Sequence, residues 1–566
     1  KTISMDPTMM ETRKAVEKLK DTSSPGPDGI TGRLAKFIHK LLPRIFNSMH
    51  IGMYNSKMNH FNDRDMKVIE KPGKSSYLTI NSYRPISLIS VIIKSYENIV
   101  YNRLQYALNN DDEYSYEDYT GNNYAYRRKN GVQDAFREFS DVLEQYRGTK
   151  PNNESEELAV VSIDLASAFD TIEWSYIFET LQKMNIPSRI IESIKTLYKS
   201  IRMRIKGSDS GWFKIGRGVP QGSALSGLIF NICLAPILRR IKNDPLIPNL
   251  MRKDNGLRAC VKKGDFEQSM KLKLKRKWAK SVTYADDATI LTILNKETIK
   301  RIIKIYNEHT KKSGLQINET KTEVYVVQEE LFDKAQIITQ ELSMKNASKM
   351  VVRYLGHKFR PLVNNNTEKL KGALKTIKWL IVKFNRVQTV TIQGRIINAT
   401  SLITTPLRFL LHGIHLKSQD FKIMSKIQTC INNYIKPCTD GESRYRPIAE
   451  MGGGSISMND IYISTRMYYL RQLYRNDGQH YKRISHYLGI ARLEINYISN
   501  AGEQMWKKME KIMKFVNLQF WEQLFKTLRK VFFRDKSNIL EYHILDPLIK
   551  GKQHTAENIK KLISHK

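Results

Sequence analysis

The segment Ser281-Val-Thr-Tyr-Ala-Asp-Asp-Ala-Thr-Ile-Leu291 decides how this chain is read. Two adjacent carboxylates, Asp286 and Asp287, separate two short runs rich in Val, Tyr, Ile and Leu. Such residues favour strands, so the pattern predicts a hairpin whose turn lifts acidic side chains out of a buried sheet. An Asp-Asp pair alone is weak evidence, because Asp111-Asp112 in the polar run 109–114 reads as a solvated turn. Context separates the two pairs. The pair at 286 is flanked by apolar strands, and a third carboxylate closes another apolar run, Ala159-Val-Val-Ser-Ile-Asp164. A buried strand ending in Asp presents a metal ligand at a sheet edge; the competing reading is a helix cap. Asp170 is the better cap candidate, ahead of a helix expected over 171–184, because Asp164 stands before the polar turn.

Working outward, residues 1–20 predict a helix through Met10, Val16 and Leu19, and a second amphipathic helix follows through Leu34, Phe37, Ile38 and Leu41-Leu42. Between them lies the breaker-rich turn Ser23-Ser-Pro-Gly-Pro-Asp-Gly-Ile30. Met66-Lys-Val-Ile-Glu-Lys-Pro-Gly73 predicts a strand and turn, and Asn81-Ser-Tyr-Arg-Pro-Ile-Ser-Leu88 leads into a helix ending near Arg103. Lys71 and Arg84 flank that turn; they suit a triphosphate clamp or are plain surface charge. Gly216-Arg-Gly-Val-Pro-Gln-Gly-Ser-Ala-Leu-Ser-Gly227 is a glycine-rich turn feeding the helix 228–241, with Gln221 and Ser223 adding polar reach, and it lacks the Walker pattern. The basic run 271–280 fits phosphate contact or a solvated face equally. A basic helix is expected over 296–312, then the turn Gly314-Leu-Gln-Ile-Asn318 entering a strand, with Lys321 a candidate general acid. Beyond 361, Leu370, Leu374, Ile377, Ile381 and Phe384 recur at 4-3-4-3 spacing, the seam of a helical bundle.

The chain has 566 residues, enough for two to four domains, and its 41% hydrophobic content suffices for packed cores. The net charge of +37 suits a polyanionic partner, though an AT-rich genome favouring Lys, Asn and Ile would give the same composition. Four scattered cysteines, Cys233, Cys260, Cys430 and Cys438, predict neither structural zinc nor disulfides. No stretch approaches ~20 uninterrupted apolar residues, so no membrane span is expected, and the localisation expected is intracellular, nucleus or cytoplasm. The chain opens on Lys1 without an initiator Met, as one part of a longer polypeptide would.

Taken in order, these motifs resemble the reverse transcriptases of non-LTR (LINE-type) retrotransposons. The resemblance rests on Ser24-Pro-Gly-Pro-Asp-Gly-Ile30, Tyr83-Arg-Pro-Ile-Ser-Leu88, Asp164-Leu-Ala-Ser-Ala-Phe-Asp170, Gly218-Val-Pro-Gln-Gly-Ser223, Tyr284-Ala-Asp-Asp287, Gly314-Leu-Gln-Ile-Asn318 with Lys321, and Tyr354-Leu-Gly356. It spans 1–360 and only loosely covers the rest. Leu225-Ser-Gly227 departs from the family's usual Leu-Ser-Pro. The resemblance implies an α/β right-hand polymerase: N-terminal extension and fingers in 1–150, palm with interleaved fingers elements in 151–360, helical thumb in 361–440, and a basic helical region in 441–566 that either binds nucleic acid or buttresses the thumb.

It also implies a reaction. Nucleotidyl transfer to a primer 3′-OH is stabilised by two metal ions about 3.5–4 Å apart. Mg²⁺, for which Mn²⁺ can substitute, requires hard oxygen ligands, here Asp164, Asp286 and Asp287. Crowded carboxylates repel without a cation, so their clustering is itself an argument for one. By resemblance Lys71 and Arg84 hold the triphosphate, Gln221 and Gly222 lie along the template–nucleotide surface, and Lys321 protonates the leaving pyrophosphate. Phe169 would stand against the ribose 2′ position and favour dNTPs, or would simply pack in the core. The partners implied are an RNA template, a DNA primer or target and dNTPs, with any endonuclease supplied by a separate domain or protein: no Cys/His knuckle precedes a nuclease here, and the carboxylates after 480 form no RNase H pattern. The leading expectation is target-primed synthesis by a retroelement enzyme. The alternatives are a domesticated or intron-encoded reverse transcriptase and a non-catalytic RNA-binding scaffold.

Overall fold

A computed structural model describes residues 5–55, 62–71, 76–109, 123–127, 131–146, 151, 157–209, 211–250, 278–344, 352–355, 357–359, 366–386, 392–414, 416, 418–435, 457–475, 481, 484, 507, 509–514, 516 and 518–533. The Asp111-Asp112 turn, most of the basic run 271–280, Cys260 and Cys438 lie outside them. So do most of the carboxylates after 480.

Three helices open the chain: α1 (Met9–Glu17), α2 (Gly32–Leu41) and α3 (Pro43–Tyr54). Thr8 starts α1 with a capping box in which its side chain accepts from Glu11 N and the Glu11 carboxylate accepts from Thr8 N. Val16 and Leu19 are buried as the spacing predicts, but Met10 is exposed. α2 departs further: its apolar face (Leu34 44%, Phe37 59%, Leu41 61% exposed) points outward, and the helix packs through Gly32 and Ala35 instead. Small residues allow close helix approach, which periodicity does not register.

β1 (Asp63–Glu70) and β2 (Tyr83–Ile89) form an antiparallel hairpin, with Lys71 directly after β1 and Arg84 within β2, paired with Ile69. α4 then runs Val91–Asn109, six residues past the expected end, and Arg103 within it pairs with Glu11 of α1 at 2.8 Å. α5 (Val132–Tyr146) follows, then β3 (Leu158–Ile163). The helix expected over 171–184 is divided into a short turn, α6 (Ala168–Thr171), and α7 (Trp174–Lys183). Ser167 occupies the cap position of α6 without a side-chain cap bond, so Asp170 sits inside the turn and is not its cap. α8 (Ser188–Lys199), β4 (Arg202–Ile205), β5 (Phe213–Lys214) and α9 (Ser226–Asn243) lead to the hairpin of β6 (Ser281–Tyr284) and β7 (Asp287–Ile293). α10 (Lys296–Ser313), β8 (Glu323–Val326), α11 (Phe332–Glu341) and the small pair β9 (Val352–Tyr354) and β10 (His357–Phe359) complete this part.

The strands form two four-stranded sheets, in the orders β2-β1-β4-β5 and β6-β7-β3-β8. The second is antiparallel throughout and runs through the centre of a continuous core that includes Val161, Ile163, Ile229, Ile290 and Val324. β3 is buried along its length because helices cover one face and a second apolar cluster around Phe139, Leu143 and Tyr354 covers the other.

A separate helical core follows, built from α12 (Asn366–Asn385), α13 (Ile392–Asn398), α14 (Thr405–Gly413) and α15 (Ser418–Ile435). The predicted seam holds: Leu370 and Ile377 are buried, and Leu374, Ile381 and Phe384 pack partly buried against them. α16 (Met458–Arg475) and α17 (Gln519–Phe533) reach back to α5. Trp521 Nε1 donates to Asp141 at 2.6 Å, and Tyr468 OH donates to Asp134 at 2.7 Å. These bonds tie the described residues after 441 to α5.

Candidate nucleotidyl-transfer site

β3 brings Asp164 to the edge of the central sheet. The register pairs Ile163 with Ala288, so the next residues outward on the two strands are Asp164 and Asp287. Tyr284 pairs with Asp287 across the β6–β7 hairpin, leaving Ala285 and Asp286 as its two-residue turn. Asp164 and the adjacent pair Asp286 and Asp287, far apart in sequence, thus share one sheet edge, as the strand pattern predicts. Position at the strand ends fixes this outcome, since Ala288 to Thr292 of β7 are buried on both faces and only the turn end emerges.

The electrostatics are those of crowded like charges. Burial raises the Asp286 carboxyl above the usual carboxylate range, and the neighbouring Asp164 raises it further, opposed by the Lys321 and Arg84 charges. Asp287 is pushed up to about 6 by burial, then by Asp286 and Asp164. Both residues are nonetheless exposed at the surface of the turn. Lys321 Nζ lies 3.5 Å from Asp164 Oδ2, with the lysine side chain well exposed. Asn318 N donates to Asp164 O at 2.8 Å, which ties the Gly314–Asn318 turn beside the end of β3.

Among the described residues, no three His, Cys, Asp or Glu side chains converge closely enough to hold an ion as they stand. The donor chemistry nonetheless fits a hard divalent cation: three carboxylates, mutually repelling, with a lysine ammonium standing at one of them. A cation would relieve the repulsion that raises Asp286 and Asp287.

The β1–β2 hairpin and the glycine-rich turn meet beside this edge. Ser87 N of β2 donates to Gln221 O at 2.8 Å. Gly222 has φ +115°, and a Cβ there would lie 2.6 Å from Ser87 O, so only glycine permits the approach. The Gln221 side chain hydrogen-bonds Asp170, whose carboxyl burial raises against that bond and the Lys71 charge. Arg84 bears on Asp286, while Lys71 bears on Asp170, so the two cations serve different neighbours. Ser223 differs from expectation. Its hydroxyl donates to Glu97 at 2.8 Å, and Glu97 is itself paired with buried Arg64 at 3.2 Å. Ser223 therefore anchors the turn and has no free polar reach. Phe169 is half-buried and stacked on Phe230, ring centroids 4.6 Å apart. Tyr354, of the Tyr-Leu-Gly motif, is buried on Phe139 and donates to Val282 O of β6 at 3.3 Å, which makes it a support for the hairpin.

One group of residues escaped the sequence reading. Asn123–Tyr126 lies against the β6–β7 turn, with Tyr124 N donating to Thr283 O at 2.9 Å. The Tyr126 hydroxyl is raised by burial and by the Asp286 charge, so this segment borders the carboxylates. Its sequence, polar and flanked by Asn and Arg, carries no strand or helix signal.

Comparison with known proteins agrees with this geometry. The family model of the reverse transcriptase (RNA-dependent DNA polymerase) matches residues 69–359, just over half the chain. A Pol polyprotein from a type-1 retrotransposable element R2 of Nasonia vitripennis is 25% identical over 41% of this chain and 21% of its own length. The Transposon TX1 149 kDa protein of Xenopus laevis is 25% identical over 45% of this chain and 18% of its own. A probable RNA-directed DNA polymerase from transposon BS of Drosophila melanogaster is 27% identical over 30% and 18%. The matched segments span about a fifth of these relatives' lengths. Among solved structures, telomerase of Candida albicans aligns over 84% of this chain and 68% of its own, with a TM-score of 0.37 and 14% identity. The relatives come from retroelements, in keeping with the non-LTR resemblance of the motifs. The family-model match, which covers just over half of the chain and contains all three sheet-edge carboxylates, places the chain in the reverse transcriptase family.

Proposed function

We propose that this chain is an RNA-directed DNA polymerase of a non-LTR retroelement, extending a primer 3′-OH with dNTPs on an RNA template, in target-primed synthesis with an endonuclease held by a separate domain or protein. The observation that carries the reading is the meeting of Asp164, Asp286 and Asp287 at one sheet edge, where each raises the cost of ionising the next. Reverse transcriptases use divalent metal ions; here Asp164, Asp286 and Asp287 would hold Mg²⁺, with Mn²⁺ a substitute. When bound, the metal supplies charge stabilisation at the phosphoryl oxygens and activation of the attacking hydroxyl.

The remaining roles belong to the chain's own groups. Arg84 and Lys71, at the fingers hairpin, neutralise the triphosphate of an incoming nucleotide. Gln221 and Gly222 lie along the surface that takes the template–nucleotide pair, and the lack of a Cβ at 222 lets their turn close on Ser87 of β2. Phe169, backed by Phe230, blocks a ribose 2′-hydroxyl. Lys321 neutralises Asp164 before substrate arrives and donates a proton to the departing pyrophosphate. The segments 1–150, 151–360, 361–440 and 441–566 act as extension plus fingers, palm, thumb and buttress.

The test is primer extension on an RNA template with dNTPs, with and without Mg²⁺. Mg²⁺-dependent DNA synthesis is the expected result. RNA binding without synthesis under any divalent cation would favour a scaffold on the same fold.

A further inference from the structure

The β6–β7 hairpin reverses direction in two residues, Ala285 and Asp286. Ala285 does so at φ +56°, a left-handed conformation that a residue with a Cβ holds only when its surroundings impose it. Tight hairpins normally place Gly, Asn or Asp at such positions. This chain has alanine, and the neighbouring segment imposes the conformation.

Asn123 is wholly buried. Its Nδ2 donates to Ala285 O at 3.0 Å, and its Oδ1 accepts from Ala285 N at 3.0 Å. One amide side chain thus grips both backbone polar groups of the residue that precedes Asp286. The grip is itself held from three sides. Oδ1 also accepts from Ala125 N at 3.1 Å. Asn231 Nδ2 of α9 donates to Ala125 O at 2.5 Å. The Tyr126 ring lies so close to Gly227 that a Cβ there would approach it to 2.3 Å. Gly227 stands where the family usually has proline, and here the vacated space holds the tyrosine ring that closes the segment.

We infer that Asn123 is a positioning residue of the polymerase site: by fixing Ala285 in the left-handed conformation it sets the direction in which Asp286 and Asp287 leave the turn. A buried amide with only a packing role would satisfy whichever backbone groups lay nearest. Asn123 spends its donor and one acceptor bond on a single residue, the one whose conformation aims the carboxylates. The inference rests on the polymerase reading above.

Four proteins test it: the parent, Asn123→Ala, Ala285→Gly and the double variant Asn123→Ala/Ala285→Gly. Two readouts are taken. One is single-turnover dNTP incorporation on a primed RNA template. The other is Mn²⁺ binding by electron paramagnetic resonance, restricted to the portion that Asp286→Asn/Asp287→Asn abolishes. Asn123→Ala is expected to lower the rate at saturating dNTP by about 10–100-fold while half-saturation moves less than ~2-fold, because a misplaced carboxylate costs rate rather than nucleotide binding. Mn²⁺ affinity falls with it. Glycine holds φ > 0 unaided, so adding Ala285→Gly recovers roughly 5-fold or more of the rate, and Mn²⁺ affinity with it. Parent-like rate and Mn²⁺ binding in Asn123→Ala would overturn the inference. So would a double variant no better than Asn123→Ala in both readouts, since Asn123 would then matter only to folding. Were the parent to incorporate no dNTP, the polymerase reading would fall, and the Mn²⁺ comparison would still decide the role of Asn123.

Discussion

Two clusters of charge in this molecule have opposite construction. At the palm edge, Asp164, Asp286 and Asp287 repel one another, and the nearest ammonium, Lys321, stands exposed at 3.5 Å from one of them. Beneath the C-terminal helices, Arg137 is fully buried and donates to Asp141 and Glu144, each at 2.7 Å. Its guanidinium lies 4.0 Å from the Phe520 ring centroid, Phe520 N donates to Glu144 at 3.1 Å, and Trp521 Nε1 donates to Asp141. The second cluster pairs its guanidinium with two carboxylates, and donors from α17 bond both of them, which fixes α17 to α5. The first leaves negative charge uncompensated, a cost that folding alone would remove and that a cationic ligand turns to use. Like charges crowded at an edge point to function; opposite charges bonded in the interior point to assembly.

The contrast can be broken at four points. Asp164→Asn should lower dNTP incorporation by roughly 10³-fold or more, since it removes several kcal/mol of transition-state stabilisation, while leaving thermal stability unchanged or raised. Arg137→Ala should do the reverse. It strands two buried carboxylates and should destabilise the protein by about 3–5 kcal/mol, visible as a lower Tm and faster proteolysis within 519–533, before any direct effect on chemistry.

A pH titration separates the regions further. His412, facing Tyr469 at 3.2 Å beside Arg466, is held down to about 4 by burial and then by the Arg466 charge. Its folded value lies below the unfolded ~6.5, so the unfolded chain binds the extra proton between them. Its contribution is therefore complete above about pH 6.5 and is lost as pH falls toward 4, amounting to roughly 1–3 kcal/mol. His412→Gln should flatten that part of the stability curve, measured by chemical denaturation at each pH. The smallest effect is on selectivity. Phe169→Ala should admit rNTPs with a relative efficiency about 10-fold higher, measured in competition with dNTPs, because the stacked ring no longer fills the space beside the sugar. An unchanged ratio would return Phe169 to plain core packing against Phe230.

The sequence made the palm edge legible because its signals are local. Short apolar runs fix β3, β6 and β7, and a carboxylate at a strand end can point only to a few places. The helical seam from Leu370 to Phe384 was legible for the same reason. What escaped depends on residues far apart: Asp141 meets Trp521 across 380 positions, and Asn123 meets Ala285 across 162. No local pattern announces such pairs. α2 misled in another way. Its apolar stripe is real, but Gly32 and Ala35 form the closer packing surface and leave Leu34, Phe37 and Leu41 outside. Ser223, expected to offer its hydroxyl to a ligand, is committed to Glu97, a partner 126 positions away.

The central claim is that the palm carboxylates are kept for chemistry at the expense of stability. Its most direct test is to measure DNA synthesis and thermal unfolding together for the parent and the Asp286→Ala/Asp287→Ala variant. The account predicts that the variant makes no DNA on an RNA template and, without divalent cation, unfolds at the same temperature as the parent or above it. A variant that still extends the primer, or that loses activity only because its Tm collapses, would contradict it.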